Sequence, residues 1–317
     1  MTEPRLTAVV LTYDGRHLLE TALPSFAAQT YGPYRLLVVD NGSRDDTRAW
    51  LATHHPEAEV LALPQNIGVT AALNRGWQAA RTEYVALFNN DVELDPGCLA
   101  ELVAALDVHP EAGSAGAKLI DFHDRAVLDG AGDALRWGGQ ATRRGHGERA
   151  AGRYETPEPV FGACGGAAIY RRTALDEVGP FDERFFAYSE DIDWSLRAQV
   201  AGHRCRYVPS AVVFHMGSAT MGRELSDFLA YHLWRNVVWM VAKGYPGWAL
   251  VVHAPELVLR QAINLAAAVK ARKLEVFLRA WRDALRAMPA VLRDRRRVQS
   301  ARRATRSELA AVIRRGV

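Results

Sequence analysis

The stretch EYVALFNNDVELDPG, Glu83 to Gly97, sets an apolar run, Tyr84 to Phe88, directly against Asn89, Asn90 and Asp91. A short apolar run bounded by polar residues reads as a buried strand. Small polar groups at its end suit the lip of a site better than a core. Asp40-Asn41-Gly42 closes RLLVVD in the same way, and Tyr13-Asp14 closes LTAVVLTY. Such oxygens can accept hydrogen bonds from a ligand. The plain alternative is that Asp, Asn and Gly make turns there. SEDIDW adds three carboxylates, Glu190, Asp191 and Asp193. A carboxylate near a hydroxyl can act as a general base. On a helix Asp193 points about 200° away from Asp191, so both cannot serve one site. All three would also favour a helix N-terminus through its dipole. Gly162, Gly165 and Gly166 in GACGGAAIY permit close approach of backbone to a sugar or phosphate, or else a tight core crossing. His215 ends AVVFH, where a lone histidine is more often structural than a ligand.

These residues need elements to position them. Strands are predicted over 6–13, 35–40, 59–64 and 84–89, and helices over 17–29, 46–55, 68–80 and 96–107. This alternation predicts an α/β fold, a mostly parallel sheet with helices on both faces. Ligands of such sheets bind beyond the carboxyl ends of the strands, where the three polar clusters should converge. Ser43 or Asp45 is the expected N-cap of the second helix. Residues 121–160, polar and rich in Gly and Arg, read as a long surface excursion, either a hairpin or a mobile loop. A helix is expected over 190–202, stopped by Gly202, then a strand or two over 204–215. Everything after about 223 reads as helical.

The 317 residues are 49% hydrophobic and 24% charged, ordinary for a globular protein. The net charge of +3 is uneven. Lys270 to Val317 holds 15 Lys and Arg against 4 Asp and Glu, a local +11, so the rest carries −8. A basic tail of this kind meets a polyanion, either nucleic acid or an anionic membrane. Cys98, Cys164 and Cys205 form no CxxC pair and read as free thiols of a reducing compartment. The opening MTEPRLTAVV does not have the pattern of a signal peptide. Lys243 and a Gly-Tyr-Pro-Gly break interrupt the one long apolar stretch, Asn236 to Pro255, so no transmembrane span is expected.

VVLTYDG, LLVVDNGSRDDT, NIGVTAALNRG, ALFNNDVELDPG and the segment from GACGG to HMGSAT together resemble the inverting family-2 glycosyltransferases. Within that family the resemblance is to the bacterial rhamnosyltransferase-like and galactofuranosyltransferase-like enzymes of cell-envelope polysaccharide assembly. It covers residues 5–240. It implies the GT-A nucleotide-diphospho-sugar transferase fold, with a catalytic domain over 1–222 and a helical, basic C-terminal region over 223–317. It further implies transfer of a hexose, rhamnose as first guess, from a nucleoside diphosphate to a hydroxyl with inversion. Thr12, Tyr13, Asp40, Asn66, Gly68 and Asn90 would contact the donor nucleotide, with Asp40 on the pyrimidine ring. Asn89-Asn90-Asp91 takes the place of the family's DxD motif, so Asp91 is the expected ligand of Mg²⁺ or Mn²⁺, joined by His215. Asn89 in the first motif position departs from the family pattern. Asp191 is the expected base, and Glu190, Gly165 and Gly166 would contact acceptor or sugar. The acceptor would be a glycan, or a glycan carried on a polyprenyl lipid. No QxxRW-type stretch points to a processive synthase.

RKLEVFLRAWRDALRAM, 272–288, repeats at sevens. Leu274, Phe277, Leu278, Trp281, Leu285 and Met288 share one stripe; Arg272, Arg279, Arg282 and Arg286 share the opposite face. This basic amphipathic helix could lie on an anionic membrane, pack on its own domain or form a homo-oligomer. The site chemistry points away from nucleic acid, and the expected place is cytoplasmic, peripheral on the inner membrane face. Two rivals are a nucleotidyltransferase of similar fold and a catalytically silent sugar-nucleotide-binding or scaffold protein. TYDGRHL is not the Gly-rich basic loop of the former, and the latter would have lost Asp91 or Asp191.

Overall fold

A computed structural model of the chain describes residues 3–217 and 226–314. The strands are β1 (Leu6–Thr12), β2 (Arg35–Asp40), β3 (Glu59–Ala62), β4 (Tyr84–Asn89), β5 (Val92–Leu94), β6 (Ala112–Asp121), β7 (Leu128–Gly130), β8 (Asp133–Arg136), β9 (Ala141–Arg143), β10 (Glu158–Val160), β11 (Ala167–Arg171), β12 (Arg204–His215) and β13 (Ile313–Arg314). The helices are α1 (Arg16–Ala27), α2 (Thr47–His54), α3 (Val69–Ala79), α4 (Cys98–Val108), α5 (Arg172–Val178), α6 (Glu190–Ala201), α7 (Asp227–Gly244), α8 (Gly247–Val252), α9 (Ala254–Lys270), α10 (Leu274–Ser300) and α11 (Arg306–Val312).

The main sheet runs β3-β2-β1-β4-β11-β6-β12-β10, with β5 on β12 and β7 on β6. β1 to β4 pair in parallel, whereas β11 lies antiparallel between β4 and β6. Every residue of β1 is buried because helices cover both faces. Leu6, Ala8 and Val10 join a core with Leu19, Phe26, Leu99 and Leu102 of α1 and α4. Val9 and Leu11 face Leu73, Trp77, Leu175 and Trp194 of α3, α5 and α6. The period of two in the strand divides one apolar run between two cores.

Two expectations require correction. Residues 121–160 hold the expected hairpin, β8 paired antiparallel with β9, but they are not wholly a surface excursion. Leu128, Ala131, Ala134, Leu135 and Trp137 are buried, and β7 pairs with β6 while β8 and β9 form a small sheet with β13. Polar composition misleads here because Gly, Arg and Asp are spent on close turns and buried ion pairs rather than on solvation. Nor does Ser43 or Asp45 cap α2. The N-cap position is Asp46, without a side-chain cap bond. The Ser43 hydroxyl instead accepts the Asp14 N–H at 2.9 Å, and Asp45 accepts the Thr47 N–H at 3.1 Å and the Thr47 hydroxyl at 2.6 Å. Both side chains close the turn before the helix.

The C-terminal helices share a core with the sheet. Trp239, Met240, Ala284 and Val291 of α7 and α10 pack with Leu135, Phe161, Phe185 and Leu196. The apolar stripe read in 272–288 is divided. Phe277, Ala280 and Ala284 are buried and Trp281 and Met288 partly so, while Leu274, Leu278 and Leu285 remain exposed beside Arg272, Arg279, Arg282 and Arg286. Among the described residues no helix is long and apolar enough to cross a membrane.

Candidate active site

Parallel pairing brings Thr12 beside Asp40 and Leu11 beside Asn89, so β1, β2 and β4 end at one edge. β11 starts at that edge because it runs the other way, and Gly165 and Gly166 precede it there. β12 reaches the same edge through its antiparallel pairing with β5, which sets His215 opposite Val92. The convergence read from sequence is therefore present.

At the β1–β4 end, the Asn90 amide donates to the Thr12 hydroxyl at 2.9 Å, and both residues are buried. Tyr13 follows, half-buried. Asp40 is fully buried; one oxygen accepts the Ser43 N–H at 3.0 Å, and the other accepts from the Arg48 guanidinium, whose side chain is 43% exposed. Next to it, Asn66 accepts the Gly68 N–H at 2.9 Å, and Asn41 takes the Ile67 N–H at 3.0 Å. Gly68 has φ +88°, and a Cβ there would sit 2.6 Å from the Phe186 ring. Gly68→Ala should therefore cost about 2 kcal/mol of stability, measurable as a lower urea midpoint. An unchanged midpoint would mean that the Phe186 loop yields freely.

At the β5–β12 end, Asp91 and His215 are both buried. The His215 Nε2 lies 3.4 Å from Asp91 Oδ1, which has no hydrogen-bond partner among the described residues. The other ring nitrogen, Nδ1, is 2.8 Å from Asp129 Oδ2. Burial works against the imidazolium, but the Asp129 and Asp91 carboxylates outweigh it and raise His215 to about 9. Burial likewise opposes the charge on Asp129, yet His215 and the Arg143 guanidinium hold its carboxyl below the usual range. With Nδ1 held by Asp129, the Nε2 proton of the imidazolium faces Asp91, and a cation bound between the two residues would replace that proton. The donor set, one carboxylate oxygen left unpaired and one imidazole nitrogen whose partner nitrogen is fixed by a carboxylate, fits a divalent cation.

On the other side of the glycine pair, Asp191 opens α6. Its Oδ2 accepts the Gly165 N–H at 3.0 Å and its Oδ1 the Ile192 N–H at 2.8 Å. A Cβ on Gly165 would lie 3.0 Å from Asp191 Oδ2, and one on Gly166 would lie 3.5 Å from His215 Nε2. Two adjacent glycines therefore separate the acidic helix start from the Asp91–His215 pair. Gly162 is a core crossing instead, tight against Ser195. Glu190 keeps one buried oxygen without a partner among the described residues, and burial, then the charge of Asp191, push its carboxyl up to about 8. Asp133 is pushed up to about 8 by burial and Asp191 in turn. Ligand atoms of Asp133, Cys164 and Asp191 lie within 4.8 Å of one another. Asp193 points away, as the helical spacing required; it is fully buried against Arg197 and Lys243.

Sequence reading missed Asp129, Asp133 and Arg143, all inside the segment taken for a surface excursion. The available signal was VLDGAGDALRW, two carboxylates alternating with residues apolar enough for a core. It also missed what holds α6 in place. Phe186, Tyr188 and Ser189 all have positive φ. The buried Asn236 amide of α7 donates to the Ala187 carbonyl at 2.9 Å and the Tyr188 carbonyl at 2.8 Å, and Arg235 donates to the Phe185 carbonyl at 3.0 Å. A backbone in this strained region persists only when its surroundings fix it.

Residues 7–179 match the family model described as glycosyl transferase family 2. The N-acetylglucosaminyl-diphospho-decaprenol L-rhamnosyltransferase of Mycobacterium tuberculosis (strain ATCC 25618 / H37Rv) is 32% identical over 265 residues, covering 77% of this chain and 86% of that protein. The O-antigen biosynthesis protein RfbC of Myxococcus xanthus is 30% identical over 77% of this chain and only 20% of its own length. Among solved structures, S. aureus TarS 1-349 superposes with a TM-score of 0.61 at 17% identity, over 93% of this chain and 88% of that one. A mannosyltransferase from Pyrobaculum calidifontis in complex with GDP-Man and Mn²⁺ gives 0.55 at 20%, over 95% and 86%. These structural likenesses carry the fold: a GT-A glycosyltransferase architecture with a helical C-terminal region. Sheet, site and sequence relatives together place the chain in glycosyltransferase family 2.

Proposed function

We propose that the chain moves a sugar from a nucleoside diphosphate to an acceptor hydroxyl with inversion, Asp191 serving as base, during cell-envelope polysaccharide synthesis. One observation carries this reading: Gly165 binds the Asp191 carboxylate and the next residue, Gly166, lies against His215 Nε2. The proposed base and cation position thus stand on either side of two adjacent residues that put no side chain between them. In this reading 1–222 is the catalytic unit, and 223–317 supports it and holds the α6 start. Thr12, Tyr13, Asp40, Asn66, Gly68 and Asn90 line the nucleotide side, with Arg48 withdrawing from Asp40 when a base enters. Asp91 and His215 would hold Mg²⁺ or Mn²⁺, with Asp129 keeping His215 Nε2 directed at the ion. The ion supplies Lewis-acid stabilisation of the departing diphosphate. Asp191 takes the hydroxyl proton as the new bond forms and the diphosphate leaves, while Glu190 orients the acceptor or the helix start. Rhamnose is the first choice of donor sugar. A glycan on a polyprenyl diphosphate, reached from the inner membrane face, is the acceptor that the mycobacterial relative suggests.

Calorimetric titration with a panel of sugar nucleotides, with and without Mg²⁺ or Mn²⁺, tests the reading. Failure of every sugar nucleotide to bind would sink it. Asp91→Ala should abolish turnover and weaken donor binding in metal-containing buffer alone. An equal loss of affinity in metal-free buffer would show that Asp91 acts without a cation.

A further inference from the structure

We propose that the outer face of α8 and α9, with the basic turn after it, docks on an anionic phospholipid bilayer. Val251 is 76% exposed, Val258 70% and Val269 55%. Pro255, Val258, Ala262, Leu265 and Val269 recur at helical spacing and are all exposed. The other side of α9 is committed: Ala268 is buried against Phe277 and Ala280, and Arg260 donates to the Gln140 side chain at 3.3 Å. A helix with one face packed and the other apolar and in water has a partner outside the chain.

Charge selects that partner. The apolar face runs directly into Lys270, Arg272 and Lys273, and α10 then exposes Arg279, Arg282 and Arg286 beside Leu278 and Leu285. Among the described residues of α9 and α10, Glu275 alone is an exposed acid. A second copy of this chain would bring a like-charged region, +11 over residues 270–317, against the first, so a two-fold contact here repels itself. An anionic bilayer satisfies both features, with apolar side chains below the headgroups and Lys and Arg at their level. The sequence pattern had directed attention to 272–288. The inward half of that helix is buried, and the unpartnered apolar face is the neighbouring α9.

This face rests on the proposed transferase reading only for its purpose, access to a lipid-borne acceptor. The full chain is sedimented with vesicles of phosphatidylcholine alone or mixed with phosphatidylglycerol, at low and high salt. Binding should require phosphatidylglycerol and weaken with salt. V251S/V258S/V269S should lower the partition coefficient roughly tenfold or more, since each buried CH₂ contributes about 0.8 kcal/mol. K270Q/R272Q should lower it roughly tenfold and flatten the salt dependence. Thermal midpoints of both variants should stay at the wild-type value, because the replaced side chains are exposed. Calorimetric sugar-nucleotide binding in vesicle-free buffer reports the site separately. Vesicle binding without binding of any sugar nucleotide upholds the face and sinks the transferase reading. Normal sugar-nucleotide binding with V251S/V258S/V269S pelleting like wild type overturns the face, as does a wild-type dimer that this variant converts to a monomer.

Discussion

Asp191→Asn is expected to lower turnover about 10²–10⁴-fold while sugar-nucleotide affinity stays near wild type. Asn cannot take a proton from the acceptor hydroxyl, and Asp91 and His215 lie beyond the glycine pair. The substitution is not fully neutral for structure. Both Asp191 oxygens accept backbone N–H groups, from Gly165 and Ile192, and Asn offers only one acceptor oxygen. One donor is left unsatisfied, at a cost of about 1–3 kcal/mol. A lower thermal midpoint is therefore expected alongside intact calorimetric binding. Glu190→Gln is the comparison. Gly165 ties Asp191, not Glu190, to the glycine pair, so with Glu190 only orienting the acceptor or the helix start its turnover should fall less than about tenfold. If Asp191→Asn kept near-normal turnover while Glu190→Gln lost it, the base would be Glu190.

Lys243→Ala should destabilise the fold by about 3–5 kcal/mol, the usual cost of removing one partner from a buried ion pair. The Lys243 ammonium, almost wholly buried on α7, lies 2.6 Å from Asp182 and 2.9 Å from Asp193. Arg197 holds Asp193 at 2.9 Å, and Arg184 joins Asp182 to Asp294 of α10. The network ties the 182–184 loop, α6, α7 and α10 together beneath the start of α6. Its loss should appear as a lower urea midpoint; a shift worth less than about 1 kcal/mol would show that the carboxylates find solvent instead. The network also sets an acid limit. Burial opposes the charge on Asp182, but Arg184 and Lys243 hold its carboxyl well below the usual range. A depressed carboxyl contributes stability above its unfolded value, about pH 4, and that contribution is lost as pH falls through the folded value. Wild type should therefore lose more stability than Lys243→Ala does on going from neutral pH into strong acid. Removing residues 266–317 is no test of membrane binding, since it strips α10 from Trp239, Phe185 and Leu196.

The sequence alone determined the parallel half of the sheet, because its strands are short apolar runs bounded by polar residues and the helices after them repeat their apolar residues near every fourth position. It also determined that Asp40, Asn90 and Asp91 meet at one edge, since parallel strands align their carboxyl ends. The separation of Asp191 from Asp193 followed from helical geometry alone. Tertiary structure decided the rest. Asp129 reaches His215 only because β7 pairs with β6, whose register with β12 sets Asp121 opposite His215. Asn236 fixes the positive-φ run before α6 from about fifty residues away, and no local pattern encodes that contact. The split of the α10 stripe was likewise invisible, because periodicity shows that a helix has an apolar face and not how wide a part of it a neighbour covers. Local propensity and alternation are properties of a few consecutive residues. Pairing between distant strands, and the burial of a carboxylate or a lysine against a helix folded back from the far end of the chain, exist only once the whole sheet and its helices have packed.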